Sequence, residues 1–387
     1  MKIKHFVKFL WGCTTLFKLQ LKIRKAVNQA EIVFFFPYYH TGGAERVHAE
    51  IVAAMAHKKM VVFFTKGSAT KSMLNAFEEH AVCIELNRVF NKKSKFLNAL
   101  LTSTIIKTIN GSSSVKKIFA SNSELFYDLL PLFSSKIEKI DLFHAFSPND
   151  DREAKIVQSS PMITNRIAIN EKAKQDILHF YTNGKCLNFS NHLKVISNGV
   201  LVPNDKQHKE YQPFQVAFIG RWSSEKRPMI FLEVAKKVLA IHSNVVFVMA
   251  GSGTLPNKTI IEASGVSCLG DIHNFEVLKK IYQKTNVVVL VSEYEGFPMV
   301  FMEGMSWGCI PVSTNVGGIS EHITSEVNGI LINNEKEEAI VTELETILIQ
   351  LLLDNNRSKK LSENAYFYAK ENFSKTKFKS EYQKILE

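Results

Sequence analysis

The stretch from Asn286 to Gly329, NVVVLVSEYEGFPMVFMEGMSWGCIPVSTNVGGISEHITSEVNG, constrains this chain more than any other. Val287 to Val291 is a short, apolar, β-branched run, the pattern of a strand buried on both faces of a parallel sheet. A loop with Glu293, Glu295 and Gly296 follows, and Pro298 suits the first position of a helix that Gly308 ends. Helical side chains lean towards the N-terminus, so Glu303, about one and a half turns in, should point at the loop holding Glu295. Ile310 to Thr314 reads as a second strand, Asn315-Val316-Gly317-Gly318 as its turn, and Gly318-Ile319 as the start of another helix. Open α/β sheets bind ligands beyond the carboxyl ends of their strands. The two helix N-termini would offer N–H groups and partial positive charge to an anion such as phosphate, whereas the carboxylates suit hydroxyl groups. A ligand that carries both is a nucleotide sugar.

With 387 residues, 45% hydrophobic and 22% charged, the chain can build two ordinary domains. No apolar run approaches membrane-spanning length. A net charge of +11 implies an anionic partner: a membrane surface, a charged substrate or nucleic acid. Cys13, Cys83, Cys186, Cys268 and Cys309 are odd in number and scattered, which fits a reducing cytoplasm and buried apolar roles.

Residues 1–30 form a basic extension, with Lys2, Lys4, Lys8, Lys18, Lys22, Arg24 and Lys25 and no acid before Glu31. As a helix they gather Phe6, Phe9, Leu10, Cys13, Phe17 and Leu21 on one face and lysines on the other, the pattern of a helix lying on anionic lipid. A helix docked on the first domain and a signal peptide are the alternatives; Lys8 interrupts the apolar core that a signal needs.

Ile32 to Phe36 is the first strand, and its loop carries Gly42-Gly43, where backbone can approach a ligand closely. Val61 to Thr65, Val82 to Leu86, Lys117 to Ala120, Ile140 to Phe146, Asn165 to Asn170 and Lys194 to Ser197 read as further strands at βαβ spacing. His144, at a strand end on the ligand face, is a candidate site residue. Asn149-Asp150-Asp151 reads as an acidic loop cap in preference to a metal site. The polar, proline-bracketed Pro203 to Pro213 reads as a linker, so the boundaries fall at 31–204 and 205–370. Gln215 to Ile219 restarts the strand pattern, followed by a junction with Arg221, Lys226 and Arg227, where arginine can grip phosphate bidentately and lysine acts as a point charge. Val245 to Ala250, the turn Gly251-Ser252-Gly253, Asp271-Ile272-His273 and a helix from Asn274 to Lys284 come next. Glu335 to Tyr368 reads as helical, and residues 371–387 carry a last helix.

In this order, Gly42-Gly43, Asn198-Gly199-Val200, Gly220-Arg221 with Lys226, Gly251-Ser252-Gly253, Glu295 and Glu303 with seven residues between them, and Gly317-Gly318 resemble retaining glycosyltransferase family 4 from about residue 31 to 370. The resemblance implies an α/β chain of GT-B fold: two facing Rossmann-like domains with parallel sheets and an interdomain cleft, an acceptor-side domain first and a nucleotide-sugar domain second, the C-terminal helix returning to the first. It further implies that Arg221 and Lys226 bind the donor diphosphate and stabilise the leaving charge. Glu295 would hold sugar hydroxyls, with the backbone of Gly296, Phe297, Pro298 and Met299 along the phosphates. Pro298 departs from the glycine common there and lacks an N–H. Glu303 would bind ribose, Ile272 the base, Gly42 and Gly43 the diphosphate side and His144 the sugar and acceptor, with Gly251 among the donor-binding residues.

The expectation is thus a retaining transferase moving a hexose-type sugar from a UDP- or GDP-sugar, with no metal, to a cell-envelope glycan on a lipid carrier, at the inner face of the cytoplasmic membrane through residues 1–30, with no nucleic-acid partner. A GT-B nucleotide-sugar 2-epimerase and a non-catalytic GT-B subunit are the alternatives. No Gly-x-Gly-x-x-Gly follows the first strand, which argues against a nicotinamide enzyme.

Overall fold

A computed structural model describes residues 2–40, 42–90, 94–146, 150–272 and 274–387, with the side chains of 2–13, 88 and 90 outside that description. Phe6, Phe9, Leu10, Cys13 and the first lysines, together with Thr41, Asn149 and His273, therefore lie outside the side chains described. The chain divides into two units: Met1–Ile169 with Ala173–Ile196 and Lys379–Glu387, and Asn170–Lys172 with Ser197–Phe378.

Among the described residues the first unit holds seven strands: β1 (Ile32–Phe36), β2 (Met60–Phe64), β3 (Val82–Glu85), β4 (Lys117–Ser121), β5 (Glu138–Phe143), β6 (Asn165–Ala168) and β7 (Leu193–Val195). All are parallel, in the order β3-β2-β1-β4-β5-β6-β7. Helices on both faces leave the central strands no wet side, hence the unbroken apolar run IVFFF of β1, buried at every position. The second unit repeats the plan with β8 (Phe214–Ile219), β9 (Val245–Ala250), β10 (Val266–Gly270), β11 (Val287–Leu290), β12 (Ile310–Thr314) and β13 (Ile330–Ile332), all parallel, ordered β10-β9-β8-β11-β12-β13. In each sheet the order reverses beside its first strand: between β1 and β4, and between β8 and β11. Ligands of such folds bind outside the carboxyl ends of strands at that point.

Several expectations change. Pro203 to Pro213 is not a free linker: the chain enters the second unit at Ser197, because Val200 is buried there and donates its N–H to the Phe373 carbonyl (2.7 Å). Within that stretch Lys209 is buried and its ammonium donates to the carbonyls of Tyr282, Gln283 and Thr285. The helix expected after Gly318 is one 3-10 turn, Ile319–Glu321, so it supplies no second helix N-terminus. β13 was not expected, since its three residues are too few to show a period.

The N-terminal helix, Lys2–Val27, packs within the first unit through a stripe other than the one read as lipid-facing. Leu16, Ile23 and Val27 are buried in a core with Leu97, Leu101, Ile105 and Ile109, and Gln20 donates to Thr104 (2.8 Å) of the helix Lys95–Gly111. Phe17 and Leu21, assigned to the apolar face, are 61% and 51% exposed. Two apolar stripes share one helix, and the sequence pattern alone did not say which meets the core. No described helix is long and apolar enough to cross a membrane.

Candidate functional site

At the β8/β11 switch point of the second unit, the loops after the two strands meet through charge. Lys226, in a 3-10 turn after β8, places its ammonium on Oε1 of Glu295, in the loop after β11. The same oxygen accepts the hydroxyl of Ser292 (2.7 Å), and the Thr314 hydroxyl donates to the Ser292 carbonyl (2.6 Å). The N–H of Glu293 donates to the Glu225 carbonyl (2.8 Å), tying one loop to the other. Glu295 is buried to 7% exposure, yet ammonium and hydroxyl both crowd one oxygen. A carboxylate has about four lone-pair directions, so capacity remains for hydroxyl donors.

Two glycine contacts allow this approach. Gly251, at φ 135°, lies so close to Gly220 that a Cβ would stand 1.9 Å from the Gly220 carbonyl oxygen. Gly317, at φ 56°, presses likewise on the Glu295 carbonyl, 1.8 Å from where a Cβ would be. The loops after β8 and β9, and those after β11 and β12, thus stack backbone on backbone, which only glycine permits.

The helix Met299–Ser306 begins beyond this loop with Pro298 as its N-cap residue, not its first helical residue. The Pro298 carbonyl accepts from Phe301 (3.0 Å) and Met302 (3.4 Å), while the N–H groups of Met299 and Val300 belong to the first turn, which a helix leaves for other acceptors. Phe297 is core: its ring is buried against His322 and Phe373, at 4.5 and 5.3 Å between centroids, so a ligand can meet its backbone but not its side chain. Glu303 is buried and accepts the Tyr282 hydroxyl (2.8 Å), while Ile272 is partly buried against the core. Arg221 is exposed and pairs with Glu225 (2.8 Å). Arg227, in left-handed backbone at φ 48°, has its Nε 3.6 Å from the Glu293 carboxylate, an ion pair longer than a hydrogen bond, and its Nη1 and the hydroxyl of Ser223 are buried without hydrogen-bond partners.

The β1/β4 switch point of the first unit carries a histidine pair and the carboxylate of Glu45, which lies 3.7 Å from Nε2 of His40. Gly42 is extended (φ −171°), caps the helix Gly43–Ala54, and lies against Glu45: a Cβ would stand 2.1 Å from its Oε2. Gly43 has open space around it. His144 follows β5, and its Nε2 lies 3.1 Å from Nε2 of His48 on the helix Gly43–Ala54. Burial, with the charge of Arg152, brings the His144 pKa down to about 4, and burial with His144 beside it pushes His48 well below the usual range. His48 was not anticipated; its partner stands far along the chain, and a histidine on a helical apolar face carries no signal by itself. Asp150 caps its loop as expected, accepting the backbone N–H of Arg152 (3.0 Å). Among the described residues no three His, Cys, Asp or Glu side chains are grouped to hold a metal.

Beneath β5 and β6 the same unit seals a charged network. Arg166, fully buried, grips both carboxylate oxygens of Asp141 and also donates to Ser159, Tyr181 and the Ile156 carbonyl, while the Tyr127 hydroxyl donates to Asp141.

Two Rossmann-like units of this strand order in one chain define the GT-B fold. Residues 203–367 match the family model described as Glycosyl transferases group 1. The chain is 30% identical over 177 residues to a Campylobacter jejuni α-1,4-N-acetyl-D-galactosaminyltransferase acting on an undecaprenol-diphosphate-linked glycan, covering 44% of this chain and 47% of that protein. It is 28% identical over 160 residues to a Salmonella typhi Vi polysaccharide biosynthesis protein, covering 37% and 28% respectively. The chain thus spans less than half the length of either curated relative. Among solved structures, the Anabaena protein HepE, in complex with UDP and glucose, superposes with a TM-score of 0.72 over 92% of this chain and 99% of its own, at 17% identity.

Proposed function

We propose that the protein is a retaining glycosyltransferase of family 4 type, using a UDP- or GDP-sugar without a metal. The observation that carries this reading is the contact of Lys226 and Ser292 with Glu295 across the β8/β11 switch point, within the matched residues. The donor's diphosphate lies at Lys226 and at the first N–H groups of the helix Met299–Ser306, with Arg221 swinging in from its exposed position. Glu295 holds hydroxyls of the transferred sugar and Glu303 those of the ribose. His144 meets the sugar and acceptor. The bond from the anomeric carbon to the diphosphate breaks, the acceptor oxygen bonds that carbon from the same face, and its proton passes to the leaving phosphate. Lys226 offsets the charge that develops. Neither carboxylate acts as the acid or base.

The relative in Vi polysaccharide biosynthesis and the one acting on an undecaprenol-diphosphate-linked glycan support a polysaccharide or lipid-linked acceptor. Two helices support a membrane-facing side: Phe17 and Leu21 are exposed on one, Phe96 and Leu100 on its neighbour, and neither helix contains an acid. Deleting residues 1–30 would strip Leu16, Ile23 and Val27 from the core, so charges placed on the surface test this face more cleanly. F17E/L21E in the full chain should lose sedimentation with anionic vesicles while keeping transfer to a soluble acceptor; unchanged sedimentation removes the membrane role.

A panel of nucleotide sugars decides the donor. The right one should stabilise the protein by about 3 kcal/mol at a hundredfold excess over its Kd. Transfer to an acceptor with the anomeric configuration kept, read by NMR of the product, confirms the reaction. Inversion, or epimerisation of donor alone, refutes it.

A further inference from the structure

We infer that His48 is a positioning residue that fixes His144 as the tautomer protonated on Nδ1, so that His144 meets its ligand as a hydrogen-bond donor and not as a base. This rests on the reading that His144 faces substrate.

What each ring can reach decides which of them donates. His48 is fully buried, stacked on Phe36 with centroids 4.2 Å apart and planes 3° from parallel, so its ring is held in place. Its Nε2 is 3.1 Å from Nε2 of His144, and its Nδ1 is buried with no hydrogen-bond partner. Two neutral imidazoles at this distance share one proton, and one ring must donate. If His144 donated, His48 would carry its own proton on Nδ1, as a buried N–H bonded to nothing. If His48 donates, its Nδ1 keeps only an unused lone pair. Orphaned buried N–H groups are rarer in folded proteins than under-used acceptors, so the second arrangement prevails. His144 Nε2 then accepts, and its single proton sits on Nδ1. A hydroxyl or developing oxyanion at His144 would receive a hydrogen bond, whereas an acceptor hydroxyl would find no free lone pair there to take its proton.

Gly42 is the N-cap residue of the helix that carries His48, so the glycine loop and the histidine belong to one element.

The test is 15N NMR of the full chain with labelled histidines, assigned with H48F and H144F. In the unliganded protein, His144 should show a protonated Nδ1 and a lone-pair Nε2. H48F keeps the stacked ring and removes the donor; His144 should then become a tautomer mixture and kcat fall about tenfold with donor KM unchanged, while H48Q, whose amide can donate, restores much of both. A His144 protonated on Nε2 in the native protein overturns the assignment, as does H48F that leaves its tautomer or kcat untouched. The native spectrum needs no substrate, so it decides the tautomer even if H48F fails to fold or the transferase reading fails.

Discussion

Each unit holds one little-exposed ion pair beside or beneath its sheet that invites comparison, Arg166–Asp141 in the first and Lys226–Glu295 in the second, and the two differ in what surrounds them. Arg166 and Asp141 are wholly sealed beneath β5 and β6, and neighbours take up the remaining capacity of both groups. Lys226 and Glu295 retain 16% and 8% exposure at the ends of β8 and β11, crowded on a single carboxylate oxygen. A saturated pair can only hold the fold together, because it has nothing left to give a ligand. An unsaturated pair at a strand end is a site, since incoming phosphate and hydroxyls replace what its members lack.

Removing one partner of the saturated pair should have the largest effect. R166M leaves the Asp141 charge uncompensated and should lower stability by about 3–5 kcal/mol, read by urea denaturation. A loss under about 1 kcal/mol would erase the distinction between the pairs. K226A should do the reverse: turnover falls roughly 10²–10³-fold, as when a group that stabilises developing charge is removed, while denaturation hardly moves. A stability loss as large as that of R166M would make this pair structural too.

Acid compares the units through their buried neutral histidines, the pair His48 and His144 in the first and His322 in the second. His144 in the first unit and His322 in the second are both held down to about 4 by burial. Their folded pKa values lie below the usual 6.5, so the unfolded chain gains protons that the folded one refuses. Stability should therefore be full above about pH 6.5 and fall as pH drops towards 4, by roughly 3 kcal/mol for each histidine. H322F, which has no such proton to bind, should flatten that fall in part; an unchanged pH profile would remove His322 from the account. The smallest effect is expected of E303Q, about a tenfold rise in donor KM with kcat kept, since ribose hydroxyls bind equally in ground and transition states. A drop in kcat alone would contradict that role.

Most strands were legible because β-branched and aromatic runs buried on both faces look alike wherever they stand. The Glu295 loop was legible because acids, glycines and an apolar run have no other common reason to sit so close. What failed had physical causes. Pro203 to Pro213 looked like a linker because its composition is polar, yet one lysine in it finds three carbonyls in the core. The stripe of Leu16, Ile23 and Val27 went unread because Phe17 and Leu21 mark a second apolar face on the same helix, and a helix with two such stripes does not announce which one meets the core. His48 was invisible, since its meaning comes from a residue that only the sheet brings near.

The helix Lys375–Leu386 begins in the second unit and ends in the first, where Tyr382 lies buried against Phe119 and Lys117 donates to the Ile385 carbonyl. During synthesis, the seven strands of the first unit leave the ribosome long before the segment that covers them. The earliest part of the chain must therefore wait, with an apolar face unfinished, until residues beyond 378 arrive, whereas the later unit has nearly all its residues in one run.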